Sequence, residues 1–327
     1  MGHGHWDDNA YAAARTFRAA KGISDFGYTS ATHGRPAAEW KAHPSLDPHG
    51  VVARECRDSD EHADSTPIAV LFDVTGSMGQ VPRIMQRKLG KLHGLIKRRG
   101  YLSDPQVLFG GIGDADSDRV PLQVGQFESD NRMDEQLRDI FLEGNGGGQK
   151  SESYELAAYF MARHVETDAW TKRGRKGYLF LIGDELNKPR LEAKHVKRII
   201  GDDLGGQDVD PASVYRELAR RWHVFFVLPK QSHYFDDPEI GDHWRGLLGQ
   251  NFLKLEDPGA VCELIAATIG LEERVVDLDQ ALVDLAEVGS GDESRSVGKA
   301  LQKVGSRAVA TSAAPPALDG PDDVSLV

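Results

Sequence analysis

The sequence predicts a doubly wound α/β fold: a mostly parallel central sheet, Rossmann-like, with helices on both faces and an antiparallel edge strand. Three observations carry this. Ile68, Ala69, Val70, Leu71 and Phe72 form an unbroken apolar run, the pattern of a strand buried on both faces. Similar runs recur at residues 107–112, 178–182 and 224–228, each bounded by Gly, Pro or charged residues. Between them the apolar residues repeat every three to four positions, so strands alternate with helices.

Taken in order, residues 1–65 are rich in His, Asp, Pro and Gly, with one helix over residues 10–21, and read as an extension lying on a core. After the first strand, Val81, Ile84, Met85, Leu89, Leu92, Leu95 and Ile96 give one apolar helix face, with Pro82 suited to its first turn. Further helices are predicted over residues 133–142, 154–164, 189–200, 211–221 and 258–269, and the residues of the 120s form the antiparallel edge strand. Past Gly270, Val275, Leu278, Leu282 and Leu285 predict another helix, followed by a linker over 289–296 and a short helix over 297–304. The segment 306–327, made largely of Ala, Pro, Asp and Ser, is predicted to be disordered. The expected division is an extension at 1–65, the α/β domain at 66–270, a helical extension at 271–305 and a tail at 306–327.

Composition narrows the function classes. With 40% hydrophobic and 28% charged residues, 327 residues suffice for one large α/β domain with extensions. No apolar run approaches the ~18 residues of a bilayer span. Residues 1–8 are polar and lack the basic-then-apolar order of a secretory signal, and Cys56 and Cys262 lie far apart with no ligand pairing, so a cytoplasmic location is expected. A net charge of −12 argues against holding nucleic acid by phosphate neutralisation. The basic run of Lys172, Arg173, Arg175 and Lys176 reads as a solvated loop.

Chemistry concentrates where the first buried strand runs into Asp73, Val74, Thr75, Gly76, Ser77, Met78 and Gly79. In a tight loop, residues i, i+2 and i+4 can turn toward one point, and Gly76 and Gly79 relieve the steric limits on that turn. Hard oxygen donors converge there. Mg2+ takes about six oxygens at ~2.1 Å, keeps some waters and accepts few carboxylates, whereas Ca2+ usually demands more acid. The strand over 178–182 runs into Gly183 and Asp184, bringing a second carboxylate to the same sheet edge. His3 and His5 read as an incidental terminal pair, and His33, His43, His49 and His62 lack the spacing of a zinc site. Glu185 reads as a solvated loop acid. The polar stretch 231–244 is a candidate selectivity loop.

At these residues the chain resembles the von Willebrand factor A family, whose metal-ion-dependent adhesion site reads DxSxS or DxTxS after the first strand; Asp73, Thr75 and Ser77 match it. The resemblance covers roughly residues 66–270. It implies that the two hydroxyls bind the metal, Mg2+ or alternatively Mn2+ or Ca2+, that Asp184 supplies the acid of the fourth strand, and that a partner protein's Asp or Glu carboxylate adds a further ligand. The family's third loop normally gives a Thr; here the stretch from Gly146 to Ser153 has none, and Ser151, Glu152 or Ser153 are the available oxygen donors. Asp114 resembles the acid that follows the second strand in bacterial and phage members, where it acts behind the ligands. The resemblance implies a binding module rather than an enzyme, an intracellular adaptor or component of a larger complex, with AAA+ ATPases of the MoxR type among such members' partners. Two other readings compete: a structural or assembly scaffold, and a phosphotransferase with Asp73 as nucleophile. The latter requires an acid where Thr75 stands. No GxxxxGK[ST] run is present.

Overall fold

A computed structural model of the chain describes residues 4–144, 150–231 and 233–312, with the side chains of Ser77, His233, Lys303 and residues 305–312 outside the description. Its central sheet has six strands: β1 (Ser65–Asp73), β2 (Asp104–Ile112), β3 (Leu122–Val124), β4 (Gly177–Ile182), β5 (Trp222–Pro229) and β6 (Phe252–Leu255). They lie in the order β3-β2-β1-β4-β5-β6, parallel throughout except for the antiparallel pair β2–β3. The doubly wound expectation is met, edge strand included. β6 has no counterpart in the sequence reading, because its four residues are interrupted by Lys254 and make no apolar run.

The helices are α1 (Asp8–Lys21), α2 (Gly27–His33), α3 (Gln80–His93), α4 (Arg132–Asp139), α5 (Tyr154–Arg163), α6 (Asp168–Arg173), α7 (Ala193–Ile199), α8 (Pro211–Leu218), α9 (Pro238–Leu248), α10 (Val261–Glu272), α11 (Leu278–Glu287) and α12 (Gly291–Ser312). The pleat of β1 sorts its side chains between two cores. Ile68, Val70 and Phe72 join α3, α10, α11 and α12 on one face, while Ala69 and Leu71 join α5, α7, α8 and α9 on the other. α3 runs on through a π-helical turn over Gly94–Arg98 before Gly100, at φ +72°, reverses the chain.

Several expectations are corrected. The helix predicted from residue 189 begins at Ala193, because Leu191 is held extended by two backbone hydrogen bonds with Val209, each 3.0 Å. Of the predicted linker over 289–296 only Gly289 and Ser290 lie outside a helix; the rest and the predicted short helix over 297–304 are one helix, α12. The predicted tail therefore starts helical, and residues 313–327 lie outside the described part. Stretch 231–244 is no long loop: Asp237 caps α9 through Glu239 N at 2.9 Å, and Ile240 and Trp244, one turn apart, are fully buried.

Nor are the flanking segments separate layers. Tyr11, Phe26 and Leu46 from the first 65 residues, and Ala281, Leu285, Val297 and Leu301 from beyond 270, sit in the same core as β1. Residues Arg54–Cys56 pair in parallel with Val165–Thr167. Cys56 and Cys262 are both buried and free, and burial pushes the Cys56 thiol up to about 12. Among the described residues no helix is long and apolar enough to cross a membrane.

Candidate metal centre

β1 and β4 are neighbours, but the chain leaves β1 for α3 on one face and β4 for α7 and α8 on the other. A crevice opens at such a switch point, outside the carboxyl ends of the strands. Phe72 pairs with Ile182, so Asp73 is level with Gly183 and Asp184 lies one residue beyond it. Gly183 is required there. A Cβ at that position would fall 1.9 Å from the Tyr154 hydroxyl, which reaches across to donate to Asp73 Oδ2 at 3.4 Å.

Asp73 is fully buried. Its Oδ1 accepts hydrogen bonds from Thr75 N at 2.7 Å and Thr75 Oγ1 at 2.6 Å, a local turn that fixes the start of the DxTxS loop. The Thr75 hydroxyl spends its proton on this bond, leaving its lone pairs available as acceptors. Gly76 packs so tightly on the next loop that a Cβ there would lie 2.9 Å from the Gly144 carbonyl oxygen. Gly144 itself has φ +77° and donates to Val74 O at 3.4 Å, so the third loop is entered directly above the first. The Ser77 side chain and residues 145–149, including Gln149, lie outside the described residues.

Ser151 and Glu152 form a two-residue strand paired with Leu186 and Asn187. Strand alternation turns their side chains to opposite sides. Glu152 is the one directed into the crevice, at 3% exposure, and Ser151 is only half-buried. Ser153 is occupied elsewhere, its Oγ accepting from Ala115 N at 2.9 Å. Glu185, expected in solvent, is buried instead.

The carboxyls of this crevice disfavour one another's charge. Burial first, opposed by the Thr75 hydroxyl and reinforced by Asp184, pushes Asp73 up to about 7. Burial and the charges of Asp73 and Glu185 push Glu152 up to about 11; burial, Asp73 and Asp184 push Glu185 up to about 8. Tyr154 stays a protonated donor, burial and the same acids holding its phenol well above its usual value. Glu152 Oε2 and Glu185 Oε2 are buried with no hydrogen-bond partner. Asp114 stands behind this group, its Oδ1 accepting from Asp116 N at 2.8 Å and pairing with Lys188 Nζ at 2.8 Å. Asp118 was missed by sequence reasoning. Its Oδ2 accepts from Asp114 N at 2.7 Å, and burial pushes it up to about 6.

Buried acids with orphaned oxygens and hydroxyl lone pairs are a donor set suited to a hard divalent cation, which would both neutralise the charge and occupy the oxygens. Another cluster, His5, Glu61 and His62, also brings three ligand atoms within 4.8 Å of one another. Its central ring is already committed: His62 Nε2 lies 2.8 Å from Gly4 O and Nδ1 3.3 Å from Asp104 Oδ1. That group straps the N-terminal segment to β2.

The chain matches no protein-family profile and no curated protein. Among solved structures, similarity is found to the pilus adhesin SpaC from Lactobacillus rhamnosus GG in its open conformation, at 11% identity and a TM-score of 0.45, covering 66% of this chain and 31% of that one. Proximal thread matrix protein 1 from the mussel byssus, crystal form 2, aligns at 12% identity and a TM-score of 0.43, over 66% of this chain and 49% of its own. The chain thus spans about a third and about half, respectively, of these two proteins.

Proposed function

We propose that the chain is a metal-dependent protein-binding module of the von Willebrand factor A type, whose bound cation captures a carboxylate of a partner. The observation that carries this reading is the group of buried acids at the switch point, with Glu152 Oε2 and Glu185 Oε2 left without a hydrogen-bond partner and both glutamates under the charge of Asp73. Thr75 and Ser77 would give hydroxyl oxygens to Mg2+, or to Mn2+ or Ca2+; Asp73, Asp184 and Glu152 would give carboxylates, directly or through water. The cation supplies an electrophilic position open to an incoming Asp or Glu side chain.

The remaining work falls to the chain itself. The Thr75 and Tyr154 hydroxyls orient the Asp73 carboxylate from its two oxygens, and the Gly76–Gly144 approach holds the DxTxS turn against the third loop. No second acid follows Asp73 at the spacing a phosphotransferase needs, since that position is Thr75. This favours binding over catalysis. An adaptor in a cytoplasmic complex, with an AAA+ ATPase of the MoxR type as partner, is the assignment that the resemblance of Asp73, Thr75 and Ser77 to the family motif supports.

Isothermal titration of the metal-stripped protein with Mg2+ and Mn2+, beside Asp73→Ala, tests the reading. Wild-type binding that disappears in the folded variant is the expected result, together with partner proteins retained on the immobilised chain in Mg2+ and released by chelator. Absence of Mg2+ and Mn2+ binding by the wild-type chain overturns it.

A further inference from the structure

On the same rim, but outside the crevice, three side chains of different chemistry meet. Glu192 immediately precedes α7 and His195 lies in its first turn, three residues on, so the two share one side of the helix. Asp116, in the turn after β2, faces them: its Oδ1 lies 3.3 Å from His195 Nε2. One ligand atom from each of the three falls within 4.8 Å of the others. His195 is nine-tenths buried, so its ring is held in place, while the Asp116 side chain, 39% exposed, and that of Glu192, 34% exposed, leave the cluster open to solvent.

We infer that Asp116, Glu192 and His195 form a second cation site, selective for a borderline transition-metal ion of the Zn2+ class. An imidazole nitrogen with two carboxylate oxygens suits Zn2+, Mn2+ or Co2+ and is a poor set for Mg2+ or Ca2+, which take oxygen. Three protein donors leave a fourth position for water or for a group brought by a partner. The flanking lysines are compatible with this. Lys188 Nζ sits 3.1 Å from Asp116 Oδ2, the oxygen turned away from His195, and so can stay beside a metal-bound carboxylate. Lys194 Nζ, 2.6 Å from Glu192 Oε2, is on a long side chain two-thirds exposed and is free to swing aside. An ion here would tie the 113–118 turn to α7, and Lys188 would carry that constraint to Asp114. The inference does not depend on the Asp73 centre.

The test uses the full chain, stripped of metal and then held in excess Mg2+ so that oxygen-only sites are filled. Titration with Zn2+ is followed by calorimetry and with Co2+ by visible absorption. One Zn2+ per chain is expected, with affinity falling more than ~100-fold in His195→Ala, beyond the loss typical of an outer-sphere change. Glu192→Gln, at the exposed edge, should weaken binding in the same direction and guards against a folding defect in the histidine variant, which thermal melting also monitors. Asp73→Ala should bind Zn2+ as the wild type does. The inference is overturned by a wild-type chain that takes up no Zn2+, by His195→Ala binding with unchanged affinity, or by loss of Zn2+ in Asp73→Ala alone.

Discussion

Among single residues, Glu155 has the clearest energetic signature. It is 2% exposed, and burial pushes its carboxyl up to about 8 against the relief given by backbone N–H groups. A carboxyl raised in the folded state binds a proton there that the unfolded chain has released. Its favourable contribution is therefore complete below about 4.5, the unfolded value, and is lost as pH rises through about 8. Glu155→Gln should accordingly stabilise the protein at pH 8 by on the order of a few kcal/mol and change little at pH 4, as denaturant titration at the two pH values would show. His93 works in the opposite sense. Burial holds its ring down at about 4, below the ordinary 6.5, so stability is lost as pH falls from 6.5 toward 4. Within the crevice, Glu152→Gln removes one of several mutually repelling acids: in chelator its melting temperature should exceed the wild type's, while the stabilisation gained on adding Mg2+ should shrink. A variant less stable than wild type in chelator would mean that Glu152 makes a structural bond. Asp73, Thr75 and Asp184 were legible in sequence because strand ends announce themselves by the end of an apolar run. Glu152 stood in the sequence only as one of three third-loop donors and Glu185 as a solvated acid, since an acid's burial depends on what the fold lays over it. Tyr154 was hidden for the same reason, reading simply as the first apolar residue of a helix.

For the elements, spacing located nine of the twelve described helices and missed the short α2 and α6 and, where packing overrides polarity, α9. In α9 the sequence around Ile240 and Trp244 is mostly polar, yet these two residues anchor it. The Trp244 ring stacks on Phe226 with centroids 3.7 Å apart, and its Nε1 donates to Glu185 O at 2.9 Å beside the acid crevice. Trp244→Ala should cost about 3–5 kcal/mol in denaturant unfolding. It should also weaken Mg2+ binding, because the segment carrying Glu185 loses its support. The Asp237-Pro238 pair, a capping residue followed by a residue suited to the first turn, was the available signal for this helix. The start of α12 misled for a related reason. Gly289 to Ser296 has the composition of a linker, but Glu293 meets Lys88 of α3 at 2.6 Å, and the same lysine reaches the buried Glu263 of α10 at 2.8 Å. A helix start stitched by charge to two neighbours leaves no periodic apolar mark.

At the scale of the molecule, the fold class was readable because a two-face buried sheet writes its strands as uninterrupted apolar text. The boundaries at 65 and 270 were not readable. Composition changes there, but the core does not. A fragment of residues 66–270 should therefore fold poorly: it would bare the surfaces against which Tyr11, Phe26, Leu46, Leu285 and Leu301 pack. Loss of a cooperative thermal transition in the fragment is the expected measurement; a two-state melt close to that of the full chain would show that the flanks are dispensable.

The same flank guards the sheet against its own regularity. β3 is only three residues long, and Val124 N, on its outer side, donates to Leu46 O at 2.8 Å. At the far side, β6 ends the ladder after four residues and carries Lys254. An unfinished row of peptide groups is a template for a neighbouring molecule, and short, charged or covered borders deny it one. Removing residues 1–53 uncovers the β3 border and exposes apolar core together. Such a chain should scatter light and grow fibrils or amorphous particles at concentrations where the intact protein stays clear, so the first 53 residues act as a shield against self-polymerisation.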